Sequence, residues 1–372
     1  MRKMNKKITC AILAATMLGT CLTGCTKSQV VDGTQIVLTV DEHEVTLGMA
    51  HLMLRENQAS SEEYMELLAQ YYGGSASDYQ IWDDLVEGKS ITYGQQQKEN
   101  VMGTLCELYA IKNHAEDYDI VLTEEENQKI AAAAKQFMQD NTQETIDALG
   151  VSESDIVTYL ELATIRAKIF EPVVADIDRK VTDKEANQTT VTFAAISTLG
   201  TQKDKNGKII DLTEAQKTEK KVLMEKLIDA INKEKDIAKA DISKIAKEIS
   251  KDITVTTHTY TTSEAKDQYV VNEVVWKAVE DMKDGEVCDK VLEAKNSYYI
   301  VRLDAAVDEE KTETKKEEII AKRESDKFSE TVEKWVKEIK VDLKHDVWAQ
   351  VQLTDRQSFR FVVKEENKDD KK

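Results

Sequence analysis

Val191-Thr-Phe-Ala-Ala-Ile-Ser197 is a strand-like run at the point where the texture of the chain changes. Before Thr190 the apolar residues recur at three- and four-residue intervals, whereas beyond it two periods alternate. Thr213 to Asn232 carries Val222, Leu223, Leu227, Ile228 and Ile231, and Asp241 to Ser250 carries Ile242, Ile245, Ala246 and Ile249, both at helical spacing. Ile253 to Tyr260 begins with strict alternation and reads as a strand, and Val271 to Val279 reads as a helix. Lys283-Asp-Gly-Glu286 is a turn, followed by two strand-like runs, Val287 to Leu292 and Tyr298 to Leu303. The order β-α-α-β-α-β-β over residues 190–305 predicts an α+β domain with helices packed on an antiparallel sheet.

Working outward, Gln35 to Val40 reads as a strand, Asp41 to Glu44 as a turn, and Val45 to Leu47 as the return into a helix. Tyr64, Leu67, Leu68 and Tyr71 stand at i, i+3, i+4 and i+7, which predicts a core-facing stripe. Val101, Leu105 and Leu108 mark a further helix ending near His114. Thr123 followed by acids opens another through Ala131 to Met138, and Ser152 caps one whose face holds Ile156, Tyr159, Leu160, Ala163 and Ala167. Thr182-Asp-Lys-Glu185 is a capping box opening a short linker helix beyond Pro172. Downstream, charge dominates from Glu309 to Lys322, and then Phe328, Val332, Trp335, Val336 and Ile339 return at helical spacing. That helix lies outside the α+β unit and has an apolar face to bury, so it is expected to dock on the N-terminal helices. Residues 35–189 and 306–355 then form one mostly α domain, closed by a strand at Val347 to Leu353, with 190–305 inserted and 356–372 a charged tail, disordered from Lys364 to Lys372.

The N-terminus predicts where the chain works. Arg2, Lys3, Lys6 and Lys7 form a basic n-region, and Ile8 to Thr20 an apolar run too short to span a bilayer, which needs about 20 apolar residues. Leu22-Thr-Gly-Cys25 closes it in the order of a bacterial lipobox. The expectation is a signal peptide over 1–24, a lipidated Cys25 as new N-terminus, a tether over 25–34 and an extracytoplasmic, membrane-anchored protein. Loss of the four basic signal residues takes the net charge from -19 to -23. Such a charge disfavours nucleic acid and anionic lipid as partners.

One proline, thirteen glycines and a third of the residues charged argue for long helices. Of five cysteines, Cys10 and Cys21 leave with the signal and Cys25 is lipidated, so Cys106 and Cys288 remain and read as buried small hydrophobes. The five histidines are scattered without metal-ligand spacing, and His43 and His51 read as solvated surface residues. No Gly-rich phosphate loop and no Gly-x-Ser-x-Gly elbow occurs, so no metal, cofactor or ATP is expected.

Taken in order, these features resemble extracytoplasmic foldases of the PrsA and SurA type, in which a parvulin peptidyl-prolyl isomerase domain is inserted in a helical chaperone domain. Phe193-Ala-Ala-Ile196 is similar to the first parvulin strand. Asp236-Ile-Ala-Lys-Ala-Asp-Ile-Ser-Lys-Ile-Ala-Lys-Glu-Ile-Ser-Lys-Asp252 is similar to the family's second-helix motif, with extra residues. Glu273 to Trp276, Met282-Lys-Asp-Gly-Glu-Val287 and Ser297-Tyr-Tyr-Ile-Val-Arg-Leu303 resemble its last helix, turn and final strand. The resemblance implies peptide-binding positions at Ala195, Tyr260, Val271, Trp276 and Tyr299, with Asp252 matching the family's acid. Ala195 and Tyr299 stand where parvulins usually hold two facing histidines, and Thr256 to Tyr260 lacks the family's glycine turn.

An X-Pro bond rotates over a barrier of about 18–20 kcal/mol, and catalysis needs a pocket that favours the twisted amide. Without both imidazoles much of that pre-organisation is gone. The resemblance therefore implies a foldase or chaperone that holds unfolded secreted polypeptides in apolar clefts without ATP, with homodimerisation left open. The alternative is an active isomerase using Asp252, Tyr299 and His258. A solute-binding lipoprotein of a transporter is a third reading, disfavoured because such proteins need two βαβ lobes.

Overall fold

A computed structural model describes residues 20–24, 30–74, 81–202, 205–207, 209–265, 271–353 and 359–363, the side chains of 20–24 and 360–363 excepted. The chain divides into two compact units, residues 1–177 with 326–372, and residues 178–325.

The first unit is a helical body with small sheets. Strand β1 (Thr20–Gly24) is followed by the hairpin of β2 (Ile36–Val40) and β3 (His43–Thr46). Helices α1 (Leu47–Tyr72), α2 (Tyr93–Asn113), α3 (Glu124–Asp140), α4 (Gln143–Leu149) and α5 (Glu153–Val173) follow. Side-chain caps open each helix: Thr46 accepts from Met49 N, while Thr92, Thr123 and Ser152 form capping boxes with Gln95, Glu126 and Asp155. Gly150, at φ +66°, ends α4 in the left-handed conformation. Its carbonyl oxygen would lie 1.7 Å from a Cβ on Gly33 and 2.3 Å from one on Gly48, so three backbones meet where only glycine fits.

The second unit is the α+β part. Short helix α6 (Asp183–Ala186) leads into β4 (Gln188–Ser197), then α7 (Glu214–Ile231), α8 (Ile242–Ile249), β5 (Thr254–Thr261), α9 (Glu273–Val279), β6 (Leu292–Ala294) and β7 (Ser297–Ala305). The order agrees with the sequence reading, with the third strand short and Val287 joined to Arg302 only by an isolated bridge. The strands form one antiparallel sheet in the order β5-β4-β7-β6. Its core collects Val191, Ala194, Ile196, Leu227, Ile231, Val275 and Ile300.

Helix α10 (Glu309–Val336) begins in the second unit and continues into the first, starting well before the apolar face that marked it in the sequence. There Phe328, Val332 and Trp335 pack with Ala110 and Ile111 of α2 and Ile165, Ile169 and Val173 of α5. Strand β8 (Val341–Leu343) adds to β2, so the first unit's three-stranded sheet runs β3-β2-β8. The strand expected at Val347 to Leu353 is replaced by β8 and the short helix α11 (His345–Trp348), because Trp348, Val351 and Leu353 are buried as core anchors. Strand β9 (Phe359–Val363) pairs with β1. The reading of 356–372 as a charged tail missed it: Phe359 is fully buried, and that burial holds the strand against α1.

Three further expectations change. His51 is buried rather than solvated. Tyr64, Leu67, Leu68 and Tyr71 are exposed rather than core. Cys106 is only partly buried, although it and Cys288 are both free. Among the described residues no helix is long and apolar enough to cross a membrane, and no group of three His, Cys, Asp or Glu side chains is arranged to hold a metal. The basic n-region, the apolar run through residue 19 and Cys25 lie outside the described residues.

Candidate functional site

Side chains directly opposite one another in an antiparallel sheet share a face. The register of β4 places Thr189 opposite Tyr260, Val191 opposite His258 and Leu303, Phe193 opposite Thr256 and Val301, and Ala195 opposite Thr254 and Tyr299. Ala195, Tyr299, His258 and Tyr260, chosen from the sequence, therefore lie on one face of the sheet. Tyr299 and Phe193 have ring centroids 6.1 Å apart, and His258 and Tyr260 6.5 Å apart.

One end of this face carries a cavity of about 270 Å³, lined by Thr189, Tyr260, Ala265, Trp276, Val279 and Leu303. Tyr260 lies in its wall, and burial raises the phenol above its ordinary value. Trp276 and Val279 come from α9. Val271 is buried in the core of the same unit, just ahead of α9. At the other end Phe193, Ala195 and Tyr299 are only partly buried and form a shallow apolar shelf.

The opposite face is committed to structure. Arg302 reaches the carbonyls of Ile237 and Ala240, at 3.0 and 2.9 Å, in the connection between α7 and α8. It also pairs with Asp304 at 2.5 Å, whose other oxygen accepts from Thr192 at 2.6 Å. Asp252 does not join the site: it is exposed and 3.9 Å from Lys220 of α7. The sheet thus puts Ala195, Tyr299, His258 and Tyr260 on one face, with Tyr260 meeting Trp276 of α9 at the cavity end and Ala195 meeting Tyr299 at the other, and leaves Asp252 aside. Among the described residues the cavity lining holds the carboxylate of Glu280 and no imidazole, and the shelf offers mainly apolar surface.

The first unit presents a second surface. The N-terminal half of α1 is buried from Leu47 through Arg55. Beyond Glu62 the helix emerges: Tyr64 is 62% exposed, Leu67 62%, Leu68 38%, Tyr71 81% and Tyr72 77%. The Tyr71 and Tyr72 rings meet edge to face at 5.1 Å. The acids Glu63 and Glu66 are interleaved with them. These five large apolar side chains stand open to solvent over the last turns of the helix. Periodicity found the stripe, but it cannot tell a core from an unpartnered face.

Beside it the helix is stiffened by a buried polar chain. His51 Nδ1 donates to the Leu149 carbonyl at 3.0 Å, and His51 Nε2 accepts from Arg55 Nε at 2.9 Å. Arg55 donates to Gln58 at 2.7 Å, and Gln58 and Trp82 both donate to Glu62, at 3.0 and 2.8 Å. This geometry requires a neutral imidazole. Burial first, and the neighbouring guanidinium second, lower the His51 pKa to about 3.

No protein-family model matches the chain, and no curated protein matches it. Among solved structures it is similar to the foldase PrsA of Streptococcus pneumoniae, at 16% identity over 74% of this chain and 95% of that one, with a TM-score of 0.24. It is also similar to a PrsA peptidylprolyl isomerase of Bacillus cereus, at 18% identity over 75% and 96%, with a TM-score of 0.27. A structure described under the SurA-like chaperones PEB4 and Cj1289 of Campylobacter jejuni matches at 10% identity over 83% and 98%, with a TM-score of 0.26. At these identities and TM-scores the similarity transfers no residue roles.

Proposed function

We propose that this protein is an extracytoplasmic foldase, anchored to the membrane through lipidated Cys25, that holds unfolded secreted polypeptides without ATP. The observation that carries the reading is the stripe of Tyr64, Leu67, Leu68, Tyr71 and Tyr72, five large apolar side chains left open to solvent on one helix end. Unfolded chains aggregate through exposed apolar segments, and transient cover on such a surface is enough to slow that. Glu63 and Glu66 beside the stripe, and the -19 charge of the whole chain, favour clients that are apolar and basic. Ala195, Tyr260, Val271, Trp276 and Tyr299 are proposed as a second peptide-holding surface on the sheet.

The test is aggregation of a chemically unfolded secreted protein after dilution, followed by light scattering. The chain without its signal and anchor, added at equal molarity, lowers the scattering, and more so for a basic client at low salt. Unchanged scattering contradicts the reading. Isomerase activity is the second reading, favoured by the cavity between Tyr260 and Trp276. Asp252, Tyr299 and His258 are its candidate residues, although Asp252 stands apart from the cavity.

A further inference from the structure

Strand β9 is held from one side and paired from the other by different parts of the chain. Phe359 is fully buried, with the Arg55 guanidinium 5.0 Å above its ring and the His51 imidazole edge-on at 6.2 Å. It belongs to a cluster with Leu52, Ile130, Phe137, Leu149 and Ile156, drawn from α1, α3, α4 and α5. All of these residues lie beyond Cys25 and remain in the chain after removal of Thr20–Gly24.

What β1 supplies is the hydrogen-bonded edge. Among the described residues it is the sole strand paired with β9, in a register running from Thr20 opposite Val363 to Gly24 opposite Phe359. The five residues of β1 end immediately before Cys25, the position at which the proposed signal is removed. Processing there would take away all of β1 and leave the Phe359 anchor in place. A strand edge without a neighbour presents a row of N–H and C=O groups that templates the addition of another extended chain.

We propose that processing before Cys25 opens the edge of β9 as a binding site for an extended segment of unfolded polypeptide, with Thr20–Gly24 as the precursor's own placeholder. The inference rests on the processing and client class of the proposed function, and adds where and how a client strand docks. Thr-Cys-Leu-Thr-Gly, the strand seated there, is small and uncharged, and β9 carries one charge in Phe-Arg-Phe-Val-Val. The fitting occupant is therefore an uncharged extended stretch added antiparallel, recognised mainly through its backbone. The precursor would be closed at this edge until it is processed.

The experiment compares three proteins: the full uncleaved chain, the chain beginning at Thr26, and the full chain carrying Leu22→Pro. The probe is a fluorescent peptide of residues 18–24 with Cys21 replaced by Ser, read by anisotropy. The processed chain and the Leu22→Pro chain bind the probe at least about tenfold more tightly than the uncleaved chain. A probe containing Leu22→Pro, which lacks one backbone donor, loses binding to both. An unfolded carboxymethylated protein competes with the probe. Equal binding by all three proteins, or none up to about 1 mM, overturns the inference. So does a dimer that forms only on processing and excludes the probe, because a second copy would then occupy the edge. Scattering suppressed without probe binding sinks this inference alone, whereas probe binding without suppression sinks the foldase reading instead.

Discussion

Ala195 stands directly opposite Tyr299 across the β4·β7 pair, the two positions at which the family resemblance places facing histidines. A methyl group and a phenol line the shelf there. Neither supplies an imidazole to interact with a twisting peptide bond, and Asp252 is exposed beside Lys220. Prolyl isomerisation takes tens of seconds unaided. In a protease-coupled proline-peptide assay, micromolar protein is expected to leave that rate within a few-fold of the uncatalysed one. Strong acceleration that is lost in Tyr299→Ala or Asp252→Ala would reverse the assignment.

The helix-end stripe gives a separation of function from stability. Replacing Tyr64, Leu67 and Tyr71 together by Ser changes three exposed side chains, each expected to shift stability by no more than about 0.5 kcal/mol. The urea midpoint stays close to wild type while suppression of client scattering falls several-fold. A large loss of stability would show instead that the stripe is packed in solution.

Two groups on α1 give pH dependences of opposite sign. His51 has a folded pKa of about 3 against an ordinary 6.5, so the unfolded chain takes up the extra proton and stability falls as pH drops from 6.5 towards 3. Burial raises the partly buried Glu56 carboxyl from 4.5 to about 7, so the folded chain takes up the proton and stability rises as pH drops from 7 towards 4.5. The two oppose each other between 4.5 and 6.5. Glu56→Gln should therefore gain about 1–3 kcal/mol at pH 8 and little at pH 4.5. Denaturation curves at the two pH values check this, and an equal gain at both would show that the carboxyl is solvated.

Arg302 secures the sheet to the α7–α8 connection. Arg302→Ala leaves the Asp304 carboxylate without its ion-pair partner and takes one of the two donors from each of the Ile237 and Ala240 carbonyls. The expected cost is about 2–4 kcal/mol, measured as a lower urea midpoint. Arg302→Lys recovers part of it, since an ammonium restores the charge and not the planar fork. A loss below about 1 kcal/mol would mean that water replaces the guanidinium readily.

Local rules made most of the fold legible. Thr123 and Ser152 cap helices because a hydroxyl three residues before an acid accepts from that acid's backbone N–H, and at Thr182 the Glu185 carboxylate accepts from the Thr182 N–H in the reciprocal half of the same motif. The α+β order followed from switches of hydrophobic period, and alternation alone put Ala195 and Tyr260 on strands whose register then joined them to Tyr299 and His258. Long-range matters stayed hidden. Period 3.6 at Tyr64 to Tyr71 predicts an apolar face without naming what covers it. The burial of His51 is not visible in its local sequence because its partners, Leu149 and Phe359, are remote along the chain. Phe359 was hidden in a charged stretch, where composition outweighed a five-residue strand. The separation of Asp252 from the cavity is a long-range feature, since its neighbour Lys220 comes from α7.

The central claim is that the open end of α1 touches unfolded polypeptide. A photo-crosslinking amino acid placed at Tyr71, 81% exposed, tests it most directly. The account predicts adducts with an unfolded secreted protein, none with the same protein folded, and a decrease when Tyr64 and Leu67 are replaced by Ser. No adducts, or equal yields from folded and unfolded forms, would contradict it.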